Sequence, residues 1–296
     1  MSVYVSTTYL GDGSSIRNAA GQLKRIGIKN IELGSNHAKT PQKEISRFFR
    51  DKHATYIAHN YFPAQEPDFV LNIASQNNKV RDQTLKFIQN TIKLCQNLNI
   101  KFYTIHPGFL GDVTVLRNRE DLRNFDFKFV KNKSSINRKS VVKETVQIIK
   151  NIYRFANKQN VQLLIENEGS KTSPEFVIFD SHEELDLLKK EIGESLKFNF
   201  NLAHATLAGI NLKDTKTFRH FYKNSPFFEV SEIQNNLDSH LPITSKGTIG
   251  AILKKYSWYF ARKNVVLEYR NININEVHLS YKYVNKLLHP RTPKVQ

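Results

Sequence analysis

The chain is 296 residues long, carries a net charge of +17 and is 40% hydrophobic, which is ample for one core. No apolar stretch approaches the roughly 20 residues of a membrane-spanning helix, so no membrane partner is expected. The single cysteine, Cys95, excludes an intramolecular disulfide and points to a reducing cytoplasm.

From the N-terminus, strand-like and helix-like segments alternate, the pattern of βαβ units on a parallel sheet. The opening MSVYVSTTYLGDG lacks a basic start followed by an apolar segment and is not read as a secretory signal. A first strand is expected over 3–7, then a helix capped by Ser14 or Ser15 and running to about Arg25. NIELGS forms the second strand, and Thr40 is expected to cap a helix begun by Pro41. The third strand ends at His59. A long helix follows over 78–98, with Leu85, Ile88, Ile92 and Cys95 on one face and Leu94 and Leu98 widening it, so Cys95 reads as a core residue. Strand four ends at His106. The stretch 109–138 reads as irregular, charged and aromatic, and a loop of that length is usually functional. A helix over 140–157, strand five to Glu166, a helix over 183–191 and strand six to Asn201 come next. Strand seven covers 227–233, a helix 249–262, strand eight ends at Glu268, and a last helix spans 275–288. Eight strands and about eight helices make a single (β/α)8 TIM barrel over 1–290, with a polar tail at 291–296.

The strand ends carry the chemistry. ATYIA runs into His59, KFYTI into His106, VQLLI into Glu166, LKFNF into Asn201 with His204 just beyond, FFEVSEI towards Asp238 and His240, and NVVL into Glu268. A closed parallel barrel brings all these C-terminal ends to one rim. His, Asp and Glu are the nitrogen and oxygen ligands that divalent metals accept. Isomerising an aldose, or inverting a carbon beside a carbonyl, removes a proton from carbon and leaves an enediolate. A divalent cation stabilises that charge, and positioned carboxylates move the proton. Glu166 and Glu268, on well-separated strands, suit the two proton-transfer roles.

Around them, Tyr61 and Phe62 are expected to line the pocket over a sugar ring. Lys246 and Arg270 sit where either could meet a substrate phosphate, although a solvated charge is the plainer role. His37 reads as a loop residue, and Glu32 points either into the barrel or towards the substrate. His53, His182, His220, His278 and His289 lie off the strand ends. The basic residues favour anionic partners, but they are spread along the chain and are densest at 127–143.

In order, HNYFP (59–63), HPGF (106–109), LLIENE (163–168), NLAHATLAG (201–209), DSHLP (238–242), KGTIG (246–250) and VVLEYR (265–270) resemble the xylose-isomerase-like barrel superfamily. That superfamily holds sugar-phosphate isomerases and epimerases, and the AP endonucleases of the endonuclease IV type. The resemblance implies one to three divalent ions, Mn, Mg or Zn. In the endonuclease IV branch one ion would take His59, His106 and Glu166, and another His204, Asp238 and His240. A third would take Glu166, Glu268 and two positions at which this chain has Asn201 and Glu229, with Glu232 as the alternative to Glu229. In the isomerase branch a single ion would sit among Glu166, Asn201, Glu229 and Glu268. HNYFPAQEPDFVLNIAS resembles the sugar branch more than the AP endonucleases. The expected function is therefore metal-dependent isomerisation or epimerisation of a sugar or sugar phosphate. A zinc-dependent AP endonuclease, with nucleic acid as partner, is the alternative, and an inactive sugar-binding relative is the third.

Overall fold

In the computed structural model the described residues are 2–11, 13–34, 37–50, 53–65, 69–115, 127–129 and 137–289. The expected tail at 291–296 and part of the basic stretch lie outside them. Eight parallel strands close into a barrel: β1 (Val3–Ser6), β2 (Asn30–Leu33), β3 (Thr55–His59), β4 (Phe102–Ile105), β5 (Gln162–Glu166), β6 (Lys197–Asn201), β7 (Phe227–Val230) and β8 (Asn264–Leu267). Each strand pairs with its chain neighbours, and β1 closes the ring against β8 with Val3 opposite Val265.

The strand alternation of two builds the interior in rows. Tyr4, Ile57, Leu164, Phe227 and Val266 form an apolar floor inside the barrel, with Phe102 against it. The Phe227 ring lies edge-on to Phe102 and tilted to Tyr4, at centroid distances of 4.9 and 5.6 Å. Two residues further along the same strands stand Ser6, His59, Glu166, Glu229, Glu268 and Thr104. The floor and the mouth are thus set by one periodicity. Outside the barrel, the apolar faces of the helices cover the strands in one continuous core, which includes Ile88, Ile92 and Cys95 of the Asn78–Asn97 helix.

Several expected elements change. Strand β1 stops at Ser6, and Thr7–Leu10 forms a 3-10 turn capped by the Ser6 hydroxyl. Ser15 caps the first helix, whereas Ser14 bonds His37. Thr40 is not the cap of the second helix: that helix is Gln42–Phe48, and Pro41, in an extended conformation, holds the cap position with no side-chain bond. The irregular stretch contains an antiparallel pair, Val113–Val115 with Phe127–Phe129. The long helix expected before β8 breaks at Tyr256 into Thr248–Lys255 and Ser257–Phe260. There the Tyr256 ring stacks on Phe218 at 3.9 Å, and its hydroxyl donates to the Lys213 carbonyl. Two helices not foreseen, Leu202–Leu207 and Thr215–Asn224, follow β6.

The largest change is at strand seven, expected as one strand over 227–233. The barrel strand ends at Val230, and Glu232–Gln234 pairs antiparallel with Leu237–Leu241 in a hairpin outside the sheet. Asn235 and Asn236, both at positive φ (54° and 60°), make the tight turn that such hairpins require. The hairpin swings Asp238 and His240 back over the barrel mouth. Among the described residues no helix is long and apolar enough to cross a membrane.

Candidate metal centre

Three strand ends deliver three donors to one point. His59 Nε2 lies 2.9 Å from Glu166 Oε2, His106 Nε2 lies 3.3 Å from the same oxygen, and the two imidazole nitrogens are 3.2 Å apart. On its far side the His106 ring presents Nδ1 to Glu168 Oε1 at 2.6 Å. A carboxylate accepts, so Nδ1 donates to it, and Nε2 is the ring nitrogen turned towards His59 and Glu166. A carboxylate behind an imidazole that faces two further donors is the arrangement by which proteins orient a metal-bound histidine. Among the described residues, this is the group of His, Cys, Asp and Glu whose donor atoms converge tightly enough for one ion. The donor set of two imidazoles and one carboxylate suits zinc or manganese.

A second constellation lies beyond Glu166. His204 Nδ1 donates to the Asn167 carbonyl at 2.9 Å, and its Nε2 stands 3.2 Å from Asp238 Oδ2. His240 Nδ1 is 3.2 Å from Glu268 Oε2 and 3.7 Å from Asp238 Oδ1. Neither Asp238 Oδ2 nor His240 Nδ1 is aligned for a hydrogen bond, although both are buried. Facing donors and acceptors close together but misaligned fit groups that share a cation. His240 holds φ at +45°, a left-handed conformation costly outside glycine and asparagine, so its placement over the mouth is imposed by the hairpin.

Between the two groups lies a carboxylate layer. Glu166 sits on β5 and Glu268 follows β8, three strands apart around the ring. Burial opposes ionisation of Glu268, but His240 and Arg270 outweigh it and hold its carboxyl well below the usual range. Burial likewise opposes ionisation of Glu166, and His106 and His59 lower it. Glu229 has no such partner: burial, with Glu166 and Glu268 adding repulsion, pushes it well above the usual range. The Asn199 amide donates to it at 2.7 Å. Burial disfavours the imidazolium of His59, yet Glu32 and Glu166 together raise its pKa to about 9; His204, beside Asp238 and Glu166, rises to about 10 despite burial. Protons therefore hold the nitrogens that an ion would claim, as in sites where metal binding displaces protons.

Sequence reasoning placed His59, His106, Glu166, His204, Asp238, His240 and Glu268 together, and the structure brings them to the mouth. Asn201 and Glu229 stand in the same layer, with the Asn201 amide against both Glu166 and Glu229. Glu232 does not: its carboxylate accepts from Ile249 N and Gly250 N at 3.0 and 2.9 Å and caps the helix after it. Phe62 is corrected to a core residue, fully buried against Phe49 on the outer side of the barrel. Tyr61 is half-buried, its hydroxyl accepting from Leu71 N, with Glu168 and Arg270 near. Arg270 lies 3.8 Å from Glu268, whereas Lys246 is exposed. His37 is a structural clip between the Ser14 and Thr7 hydroxyls, 2.9 Å from each. Glu32, left undecided by sequence, points into the barrel with neither carboxylate oxygen hydrogen-bonded. Glu168 and Asn199 were missed. Asn199 stands on β6 two residues before Asn201, where the strand alternation could have found it, whereas Glu168 lies past the end of β5.

A family model described as "Xylose isomerase-like TIM barrel" matches residues 20–254. Among curated proteins, the chain is 24% identical over 288 residues to "Apurinic-apyrimidinic endonuclease 1" of Plasmodium falciparum, covering 90% of this chain and 43% of that protein. The chain thus spans less than half of that relative. Among solved structures, a "D-tagatose 3-epimerase-like protein" superposes with a TM-score of 0.69 at 17% identity, covering 98% of this chain and 97% of that one. A Thermus thermophilus protein soaked with ZnCl2 superposes with a TM-score of 0.65 at 16% identity, covering 97% and 98%. At these identities the superpositions establish the fold.

Proposed function

The chain belongs to the xylose isomerase-like TIM barrel family, and we propose that it is a divalent-metal-dependent isomerase or epimerase of a sugar or sugar phosphate. One observation carries the reading: two buried carboxyl groups, Glu166 and Glu268, stand three strands apart beside a convergent imidazole–carboxylate donor set. His59, His106 and Glu166 would hold the ion, which when bound supplies Lewis-acid polarisation of the substrate oxygens. Glu268, kept ionised by His240 and Arg270, takes the proton from the carbon beside the carbonyl. Glu166, across the cavity, serves the opposite face. Tyr61 bounds the cavity beside Glu168, and Arg270 offers its guanidinium to an anionic substituent. The epimerase-like neighbour supports this choice of substrate class.

The test is solvent-deuterium uptake into a panel of ketoses and sugar phosphates by protein loaded with manganese or zinc. Glu268→Gln should reduce uptake by about 10²–10⁴-fold, the usual contribution of a positioned acid or base. An undiminished rate would remove Glu268 from the mechanism. A second reading, cleavage of abasic DNA, is favoured by the two imidazole–carboxylate groups flanking Glu166, since several ions together suit phosphodiester hydrolysis. Nicking of an abasic duplex, with no deuterium uptake on any sugar, would decide for it.

A further inference from the structure

The mouth contains a position lined by three buried carboxyl groups, Glu166, Glu229 and Glu268, with the Asn201 amide between the first two. We propose that this middle position is closed by hydrogen bonds and takes no ion, so that metal is confined to its flanks, first of all to the convergent His59/His106/Glu166 group. The inference deepens the reading above and rests on it only in taking the mouth to bind metal.

The Asn201 carboxamide has two N–H groups, and its nitrogen lies 3.0 Å from Glu166 Oε1 and 3.3 Å from Glu229 Oε1. Its oxygen, the atom a metal would need, accepts instead from the backbone N–H of His204 at 3.1 Å, as the cap of the Leu202–Leu207 helix. Rotating the amide by half a turn would set that oxygen against two carboxyl groups and the NH2 against a helix N–H, so the orientation is fixed from both sides. The backbone is pinned as well: Asn201 N donates to Asn167 Oδ1 at 2.8 Å, and Asn167 Nδ2 donates back to the Asn201 carbonyl at 3.1 Å. The other Glu229 oxygen is taken by Asn199 Nδ2 at 2.7 Å, and the same amide reaches Thr104 Oγ1 at 3.4 Å. Two amides therefore supply the positive hydrogen-bonding face that an ion would otherwise provide. The clasp also divides Glu166, with Oε1 committed to Asn201 and Oε2 turned to His59 and His106.

The test counts ions. The full chain is stripped with chelator, reloaded with zinc or manganese, and its bound metal is measured by elemental analysis and competition titration. Glu229→Gln should leave the number of bound ions unchanged, because Glu229 is not a ligand; its new NH2 must face one of the two amides, so ion number rather than affinity is the readout. Asn201→Asp, which replaces a donor with a charged oxygen, should gain one ion. Loss of an ion in Glu229→Gln would overturn the proposal. If that variant does not fold, anomalous diffraction at the metal edge on crystals of the unaltered protein decides: a peak between Glu166, Glu229 and Glu268 overturns the proposal, and peaks confined to the flanks support it. An unaltered chain that binds no metal at any concentration sinks the metal-dependent reading along with this one, whereas a filled middle position sinks this one alone.

Discussion

At the scale of single residues, orientation matters as much as identity. His106 is useful as a donor because Glu168 holds its Nδ1 proton and turns Nε2 inward. Glu168→Gln keeps the shape and removes the charge, and should weaken zinc binding by about 10–100-fold in competition with a chelator, with little change in melting temperature. Unchanged affinity would reduce Glu168 to a bystander. His59, His106, Glu166 and Glu268 were legible in the sequence because each stands at the end of an apolar run whose direction is fixed. Phe62 was misread for a related reason. Beyond His59 the chain leaves the sheet, alternation no longer decides which way a side chain faces, and the ring turns outward to meet Phe49. Asn201 was visible as a residue but not as a clasp, since which end of an amide points where depends on partners more than 25 positions away in the chain.

At the scale of elements, the barrel strands and most helix ends followed from periodicity and caps, while the division of strand seven did not. FFEVSEI reads as one β-rich run, and nothing local marks Val230 as the last barrel residue. The break comes from long-range partners: Glu268 N takes the Val230 carbonyl, and the Glu232 carboxylate is claimed by the helix that begins at Thr248. That carboxylate is buried, accepts two helix N–H groups and sits at the positive end of the helix. Glu232→Ala should therefore cost about 1–3 kcal/mol in chemical denaturation, since the helix donors lose a charged acceptor. Gly247→Ala should be destabilising too, because a Cβ there would run into the Glu232 carboxyl group. Zinc stoichiometry at the His59/His106/Glu166 group should survive both changes. A denaturation midpoint that did not move would show the cap to be energetically idle.

At the scale of the whole molecule, buried charges that share a mouth couple stability to pH. In the metal-free protein His59 has a pKa of about 9 against an ordinary 6.5, so its contribution is complete below 6.5 and is lost as pH rises through 9. His204, at about 10, extends the loss upward. Glu32 acts in the same direction lower down: burial raises its carboxyl from 4.5 to about 7, so the fold favours the protonated form and loses stability across that window. The thermal midpoint of chelator-treated protein should therefore fall from pH 7 towards 10, by about 5 °C or more, as His59 and His204 lose their protons. Zinc should flatten this upper fall. Between pH 4.5 and 7 Glu32 is opposed by buried His37, whose pKa is lowered to about 4, so Glu32→Gln should turn the lower window into a rise. A midpoint of the unaltered protein that rose across the upper window would contradict the charge arrangement. The plug of Tyr4, Ile57, Leu164, Phe227 and Val266 governs traffic. It turns the cylinder into a cul-de-sac: whatever enters has to back out through the doorway it came by. Newcomer and departing molecule therefore contend for one vestibule, and slow exit would throttle turnover as surely as slow chemistry.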